Sequence, residues 1–326
     1  MPLPRVSIVI YSRDNPGGCL RLLKSIERVD EKDIRFEVVL VYQGFNEKVQ
    51  GLLKEHNFSF ELKLHSESQN SNRASGRNKG VELASHEIVL LLDSDLECSP
   101  GLIKNHLNCY REKKTIAVMG EQFLPPFVKK NRWYRFLDSD YRNIRRWSKM
   151  GVSESPPLRY VNTSNFSVRR EVYLSCGGHD ESISNHEAEN IDLAQRINAR
   201  ADGKIIFNPE AVAFCQHDPL RQAMRERYEF GKEGIPKLLD TYPGIYGKLP
   251  SRFVRMDGFE PASFFHQLLM GTLFTKPFLV MARGVRLLAP EWAAFWMMRY
   301  MLQYYSVWGL RHALKQKSDE GQNAES

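Results

Sequence analysis

Two aspartates separated by one small residue, Asp93-Ser94-Asp95, follow the run Ile88-Val89-Leu90-Leu91-Leu92. Five consecutive apolar residues predict a strand buried on both faces of a parallel sheet. Ligands of open α/β sheets sit at the carboxyl ends of strands, where this pair falls. Two carboxylates at such a rim offer hard oxygen ligands to a divalent cation, and the cation can take diphosphate oxygens in turn. The triplet occurs again at Asp138-Ser139-Asp140, within RFLDSDYRNIRRW. That copy reads as a charged patch of a surface helix, since it lacks both the preceding apolar strand and the following Pro100-Gly101 turn.

The elements that must position Asp93 and Asp95 alternate along the N-terminal portion. VSIVIY (6–11) reads as a strand, SRDNPGG as a polar loop, and CLRLLKSIERV as a helix by its apolar spacing. FEVVLVYQG (36–44) is a second buried strand, NEKVQGLLKEH a second helix, and FELKLHSE (60–67) alternates as an exposed strand does. ASGRNKGVELA predicts a helix opening after a glycine, ahead of the Asp93 strand. Strand and helix in alternation predict a doubly wound, mostly parallel sheet with helices on both faces. The first loop is not G-x-G-x-x-G, so the dinucleotide fingerprint is absent.

At 326 residues the chain can bury a large core as one domain or two. Its five cysteines, Cys19, Cys98, Cys109, Cys176 and Cys215, are scattered without a C-x-x-C pair. That pattern argues for reduced thiols in a cytosolic setting and against zinc. Arg5 and Ser7 interrupt the start, so no secretory signal is expected. The net charge of +7 is uneven: 217–317 holds 15 Lys/Arg against 8 Asp/Glu, a local charge of +7. No nucleic-acid partner is expected.

VSIVIYSRDNPGGCLRLLKSI, SGRNKGVELASHEIVLLLDSDLECSPG, NTSNFSVRREVYLSCGGHDES and AENIDLAQRINARADGKIIFNPEAVAFCQH resemble the successive blocks of family 2 glycosyltransferases, over roughly residues 4–235. The resemblance implies a GT-A fold and transfer of a sugar from a nucleotide diphosphate donor, usually with inversion and with Mg²⁺ or Mn²⁺ bound. Asp93, Ser94 and Asp95 match the metal and diphosphate motif. Arg77 and Asn78 match the residues beneath the nucleotide. Gly177, Gly178, Asp180 and Glu181 match the acceptor-side loop, and His217 matches a late histidine that completes the metal site in several relatives.

Two departures bear on chemistry. Relatives end the second strand in an acid that reads the base, whereas this chain has Tyr42-Gln43-Gly44. Gln43 can still donate and accept, Tyr42 could stack, and Asp14 of the first loop could supply the missing carboxylate, with Tyr11 beside it. The family's acidic helix typically begins E-D-x-D-L, and here it reads Glu189-Asn190-Ile191-Asp192-Leu193. An amide cannot act as a general base, so the role falls to Glu189, with Asp192 and Glu187 as neighbours. Close carboxylates raise the pKa of one of them. An E-N pair also resembles the polypeptide N-acetylgalactosaminyltransferases, which retain configuration, so stereochemistry stays open between inversion and retention.

Residues 236–317 are apolar and aromatic with interspersed Lys and Arg, which predicts a helical C-terminal region. Pro261–Thr275 is shorter than a spanning helix requires, and Trp292–Leu310 contains Arg299, Gln303 and two tyrosines. This composition suits a helix lying in an anionic membrane interface, with packing on the catalytic core as the competing arrangement. The tail 318–326 is polar and expected to be disordered. The sequence thus predicts a catalytic domain over 1–235, peripheral at the cytoplasmic face of the cell membrane. It would transfer a sugar from a nucleotide diphosphate sugar to a saccharide or lipid-linked acceptor. A sugar-nucleotidyltransferase and a non-catalytic glycan-binding relative are the other classes compatible with the motifs.

Overall fold

The computed structural model describes residues 3–29, 34–45, 47–68, 71–126, 128, 131–139, 155–200, 202–215, 219–256, 258 and 271–324. They form two compact units, the first Met1–Val128, Arg146–Ser182 and Asn190–Gln216, the second Lys129–Arg145, Ile183–Glu189 and His217–Ser326. The strands are β1 (Val6–Arg13), β2 (Phe36–Gln43), β3 (Glu61–Ser66), β4 (Ile88–Asp93), β5 (Leu96–Cys98), β6 (Thr115–Phe123), β7 (Asn165–Arg169) and β8 (Lys204–Cys215). The helices are α1 (Pro16–Arg28), α2 (Glu47–Glu55), α3 (Arg73–Leu83), α4 (Leu102–Cys109), α5 (Arg132–Leu137) and α6 (Arg170–Ser175). They continue with α7 (His186–Arg200), α8 (Leu220–Glu229), α9 (Ile235–Thr241), α10 (Lys276–Leu288) and α11 (Glu291–Ala324).

All eight strands join one sheet of the first unit, in the order β3-β2-β1-β4-β7-β6-β8-β5. β3, β2, β1 and β4 are parallel, as are β6 and β8. β7 runs antiparallel between β4 and β6, and β5 antiparallel at the β8 edge. The mostly parallel sheet expected from the sequence is present, with two strands reversed.

Side-chain alternation explains the apolar runs, since successive residues of a strand face opposite sides. Ile8, Ile10, Val38, Leu40, Leu90 and Leu92 face one core, which α1 covers with Leu22 and Ile26 and α4 with Leu102 and Leu107. Val9, Val39, Val41, Val89 and Leu91 face the other, completed by Val81 of α3, Tyr173 of α6, and Leu193 and Ile197 of α7. Helices therefore cover both faces, and only the edge strand β3 is half exposed. The five cysteines are all free and buried, and burial pushes the Cys19 thiol up to about 12.

Three local expectations are corrected. Helix α3 opens at Asn72, before Gly76. Asn72 accepts from the Ser75 amide while Ser75 Oγ accepts from the Asn72 amide, a reciprocal cap that fixes the first turn. Asp138 caps the end of the short α5 and is not within a longer surface helix, and Asp140 lies outside the described residues. The stretch from 318 continues α11 as far as Ala324.

In the second unit α8 runs through a π-helical turn, Phe230–Gly234, into α9. Two glycines bring this rod against α11: a Cβ on Gly231 would lie 1.9 Å from the Ser306 carbonyl oxygen, and one on Gly309 2.1 Å from that of Tyr228. Trp133 and Phe136 of α5 pack with Phe295 and Met298 of α11. Among the described residues no helix is long and apolar enough to cross a membrane. Residues 259–270, most of the Pro261–Thr275 segment, lie outside the description.

A buried histidine couples the sheet to pH. His106 of α4 is fully enclosed, with Nε2 and Nδ1 each 2.9 Å from Asn165 Oδ1 and Ser167 Oγ of β7. Burial pulls its pKa down to about 4. The unfolded chain, with histidine near 6.5, therefore binds the extra proton between about pH 6.5 and 4. Stability from this group is intact above that window and falls on acidification through it, by up to about 1.4 kcal/mol per pH unit. Urea unfolding of His106→Gln across this range should show a shallower pH slope than the parent, despite lower stability at neutral pH.

Candidate active site

β1 is flanked by β2 on one side and β4 on the other, so the order of parallel strands reverses between β1 and β4. Crevices at the carboxyl ends beside such a reversal are the usual ligand positions of these sheets. Tyr11 pairs in register with Asp93 there, and the Asp93 amide donates to the Ser164 carbonyl just before β7. Asp93 shares strand parity with Val89 and Leu91, which face α3.

Helix α3 places two arginines on Asp93. Arg73 Nη2 lies 2.9 Å from Oδ2, and Arg77 Nη2 2.5 Å from Oδ1. They are four residues apart and so project from one helix face. Arg77 is 3% exposed, against 24% for Arg73. Arg77 Nη1 also donates to Thr163 Oγ1 at 2.8 Å, and the Thr163 hydroxyl donates to Asn190 Oδ1. Guanidinium can only donate, which fixes the direction of this chain from Arg77 to Thr163 to Asn190. Asn190, where relatives carry an acid, is thus the buried end of a network rooted on Asp93.

His179 lies behind it, fully buried and held well below its ordinary pKa by desolvation, with Arg77, Arg73 and Arg196 adding to the effect. Its Nε2 is 3.4 Å from Arg77 Nη1, so the neutral ring accepts there and carries its proton on Nδ1, toward Tyr173 Oη at 2.7 Å. Asn78 ties this layer to α3: it donates to the His179 carbonyl and to Glu181 Oε1, and accepts from the Tyr173 hydroxyl and the His179 amide. Gly177 and Gly178 end α6 with φ of 87° and 66°, and a Cβ on Gly178 would meet Asn78 Oδ1 at 2.4 Å. Left-handed backbone therefore favours glycine at both positions, and close approach adds to that at Gly178. Asp180 accepts from Ser182 within the same loop.

On α7, Asp192 accepts from Arg196 Nε at 2.9 Å, and Arg196 also donates to the Cys176 and Gly178 carbonyls. Asp192 thereby orients the arginine that closes the glycine turn. Glu187 pairs with Arg227 of α8, within the second unit. Glu189, on the same helix, is 2% exposed.

At the nucleotide-side positions, the Tyr11 hydroxyl donates to Gln43 Oε1 at 3.0 Å, and its ring lies where a Cβ on Gly76 would be. Asp14 is exposed, has φ of 49°, and sits against Gly44, whose added Cβ would lie 1.8 Å from Asp14 Oδ1. Tyr42 is not available to stack on a base, since it is buried and stacks on Phe45 with centroids 5.1 Å apart. Ser94 is buried, and Asp95 is exposed with Cys215 Sγ 3.8 Å from its carboxylate. His217 lies outside the described residues.

Thr163, His179, Tyr173 and Arg196 were not expected from the sequence, and contacts spanning up to 102 residues leave no local pattern. Arg73 could have been found, four residues before Arg77 on the same helical face. Among the described residues no cluster of three or more His, Cys, Asp or Glu surrounds a cation position. Two hard carboxylates fit Mg²⁺ or Mn²⁺ nevertheless, since Mg²⁺ in particular is commonly held by one or two carboxylates plus water and phosphate oxygens.

The strand-end aspartate pair, the arginine-bearing helix α3 and the glycine turn after α6 are carried on a GT-A-like fold. The chain belongs to the glycosyl transferase family 2, whose model matches residues 7–177, and it is a glycosyltransferase. It is 23% identical over 215 residues to the glucosyl-dolichyl phosphate glucuronosyltransferase of Haloferax volcanii, covering 64% of this chain and 67% of that protein. Its fold is similar to that of the mannosyltransferase PcManGT from Pyrobaculum calidifontis, solved with GDP-Man and Mn²⁺ (TM-score 0.63, 15% identity, 93% and 86% of the two chains). It is also similar to S. aureus TarS 1-349 in complex with UDP (TM-score 0.56, 14% identity, 96% and 92%).

Because Asn78 satisfies groups on three sides, Asn78→Ala should destabilise the protein by about 3 kcal/mol, the sum of several hydrogen bonds lost with buried partners left unpaired. Urea unfolding at neutral pH measures it, and Lys79→Ala on the exposed face of α3 should change stability by about 0.5 kcal/mol or less.

Proposed function

We propose that this chain transfers a sugar, with inversion, from a nucleotide diphosphate sugar to a saccharide or lipid-linked acceptor. The observation that carries the reading is the Asp93-Ser94-Asp95 triplet at the β1/β4 reversal with two arginines converging on its first carboxylate. The nucleotide would lie over the carboxyl ends of β1 and β2, near Tyr11, Asp14 and Gln43, with the acceptor toward Gly177–Glu181. Asp95 and Asp93 would hold Mg²⁺ or Mn²⁺, His217 joining them if the relatives' pattern applies. The bound cation would supply charge neutralisation of the leaving diphosphate.

The residues of the chain divide the remaining work. Arg77, almost wholly enclosed, positions Asp93, whereas the more exposed Arg73 is the cation able to meet phosphate oxygens. Glu189 takes the proton of the acceptor hydroxyl as its oxygen bonds to the anomeric carbon. The bond from that carbon to the diphosphate breaks, and its electron pair leaves on phosphate. General-base help of this kind contributes about 10²- to 10⁴-fold, and electrostatic stabilisation of the leaving group supplies most of the rest.

The site of action would be the inner face of the cell membrane. Seven of the nine large apolar side chains exposed among the described residues lie on α10 and the first turns of α11, Leu288 at 89% and Trp292 at 61% among them. Trp and Leu interspersed with Arg suit the headgroup region of an anionic bilayer.

Asp95→Ala should abolish Mn²⁺-dependent donor binding, Asp93→Ala should weaken it less, and Asp138→Ala should leave it unchanged. Thermal shift with nucleotide diphosphates, with and without Mn²⁺, reads all three; loss in the Asp138 variant alone would refute the assignment. Glu189→Gln should keep donor affinity while transfer falls by about a hundredfold or more. If transfer survives in Glu189→Gln and fails in Asp192→Asn or Glu187→Gln, the base is that neighbour.

A further inference from the structure

The second unit contains a groove of about 600 Å³ between α8, α10 and α11. Arg221 and Arg225 rise from α8 on one wall, Arg283 and Arg286 from α10 on another, and no carboxylate is among the lining side chains. Tyr228 and Trp308 form part of the rest of the lining. Arg283 donates to the Tyr305 hydroxyl at 2.6 Å, which orients its guanidinium. Arg286 Nε is buried with no hydrogen-bond partner, although the backbone of its turn is fixed by Arg132 donating to the Arg286 and Leu287 carbonyls.

Four cations around an apolar, aromatic-walled groove, one with an orphaned donor, call for an anion that carries its own apolar portion. The groove also opens onto apolar surface. Leu287 lines it and is itself 63% exposed, and Val280, Met281 and Leu288 of α10 and Trp292 of α11 are exposed nearby in sequence. We infer that this groove seats the phosphate of an anionic bilayer lipid, its arginines on the headgroup and its aromatic wall along the glycerol and upper acyl chain. The inference rests on the membrane reading above and deepens it: attachment is through a shaped phosphate seat in addition to diffuse charge and apolar insertion.

Cosedimentation of the full chain with phosphatidylcholine vesicles, with and without phosphatidylglycerol, tests it. The parent should bind the phosphatidylglycerol vesicles. Arg283→Gln/Arg286→Gln should lower the partition by about tenfold or more, since each basic group near an anionic surface contributes about 1 kcal/mol. Arg221→Gln/Arg225→Gln, on exposed positions of the other wall, should act in the same direction and guards against a folding defect in the first variant. Lys113→Gln/Lys114→Gln removes the same charge from an exposed turn of the first unit and should bind like the parent. If that control loses as much as the groove variants, or the groove variants bind like the parent while Leu288→Ser/Trp292→Ser does not, membrane attachment stands and the phosphate seat is overturned. If the parent ignores both vesicle types, both readings fail. An arginine-dependent thermal shift with inorganic phosphate and no vesicle binding would overturn the lipid seat in favour of a soluble phosphate.

Discussion

The ion pair between Asp93 and Arg77 is the constraint around which the first unit is arranged. A carboxylate at the end of a strand buried on both faces, and a guanidinium that is 3% exposed, are each costly to remove from water alone. Their mutual attraction offsets that cost only when the remaining donors are satisfied as well. Thr163 and the lone pair of His179 accept from the other amine of Arg77, Asn190 accepts from the Thr163 hydroxyl, and Asn78 with Tyr173 fixes the imidazole from behind. Apart from Arg77 and Asn78, which share α3, its members come from separate segments. Loss of one would leave an uncompensated charge or donor in the interior, which makes the pocket floor rigid before any substrate arrives.

Rigidity of that floor has a chemical counterpart. An active site that stabilises charge developing on a leaving diphosphate works best when its cations are already oriented. On the proposed reading Arg73 would play that part, while Arg77, the more deeply enclosed of the two, holds Asp93 from within. The amide at position 190 fits the same division, since Asn190 accepts from Thr163 at the buried end of the Arg77–Thr163 chain without bringing a charge there.

Much of this was legible in the sequence where the pattern is periodic. Val38, Leu40 and Tyr42 alternate with Val39 and Val41, and the same parity that places the first set in one core places Tyr42 there too, against Phe45. The facing of β2 therefore keeps Tyr42 in the core and away from a base. The start of α3 was misread for a different reason: Asn72 and Ser75 form a capping box without the Glu or Gln that usually marks one. Gly76, mistaken for the helix boundary, is needed inside the helix, where Tyr11 leaves no room for a Cβ. Thr163 and His179 were invisible because a hydroxyl and an imidazole leave no spacing signal, and their partners lie far along the chain.

The buried thiols give the protein a set of built-in reporters. Cys19, Cys98, Cys109 and Cys215 belong to the core on the α1 and α4 side of the sheet, and Cys176 to the opposite core. A thiol shielded from water reacts with an alkylating reagent only during a local opening that exposes it. The labelling rate at each position is then a clock for motion on its own face of the sheet. Nucleotide bound at the β1/β4 reversal would slow the clocks whose opening it suppresses, so the unmodified chain can report which side of its sheet breathes.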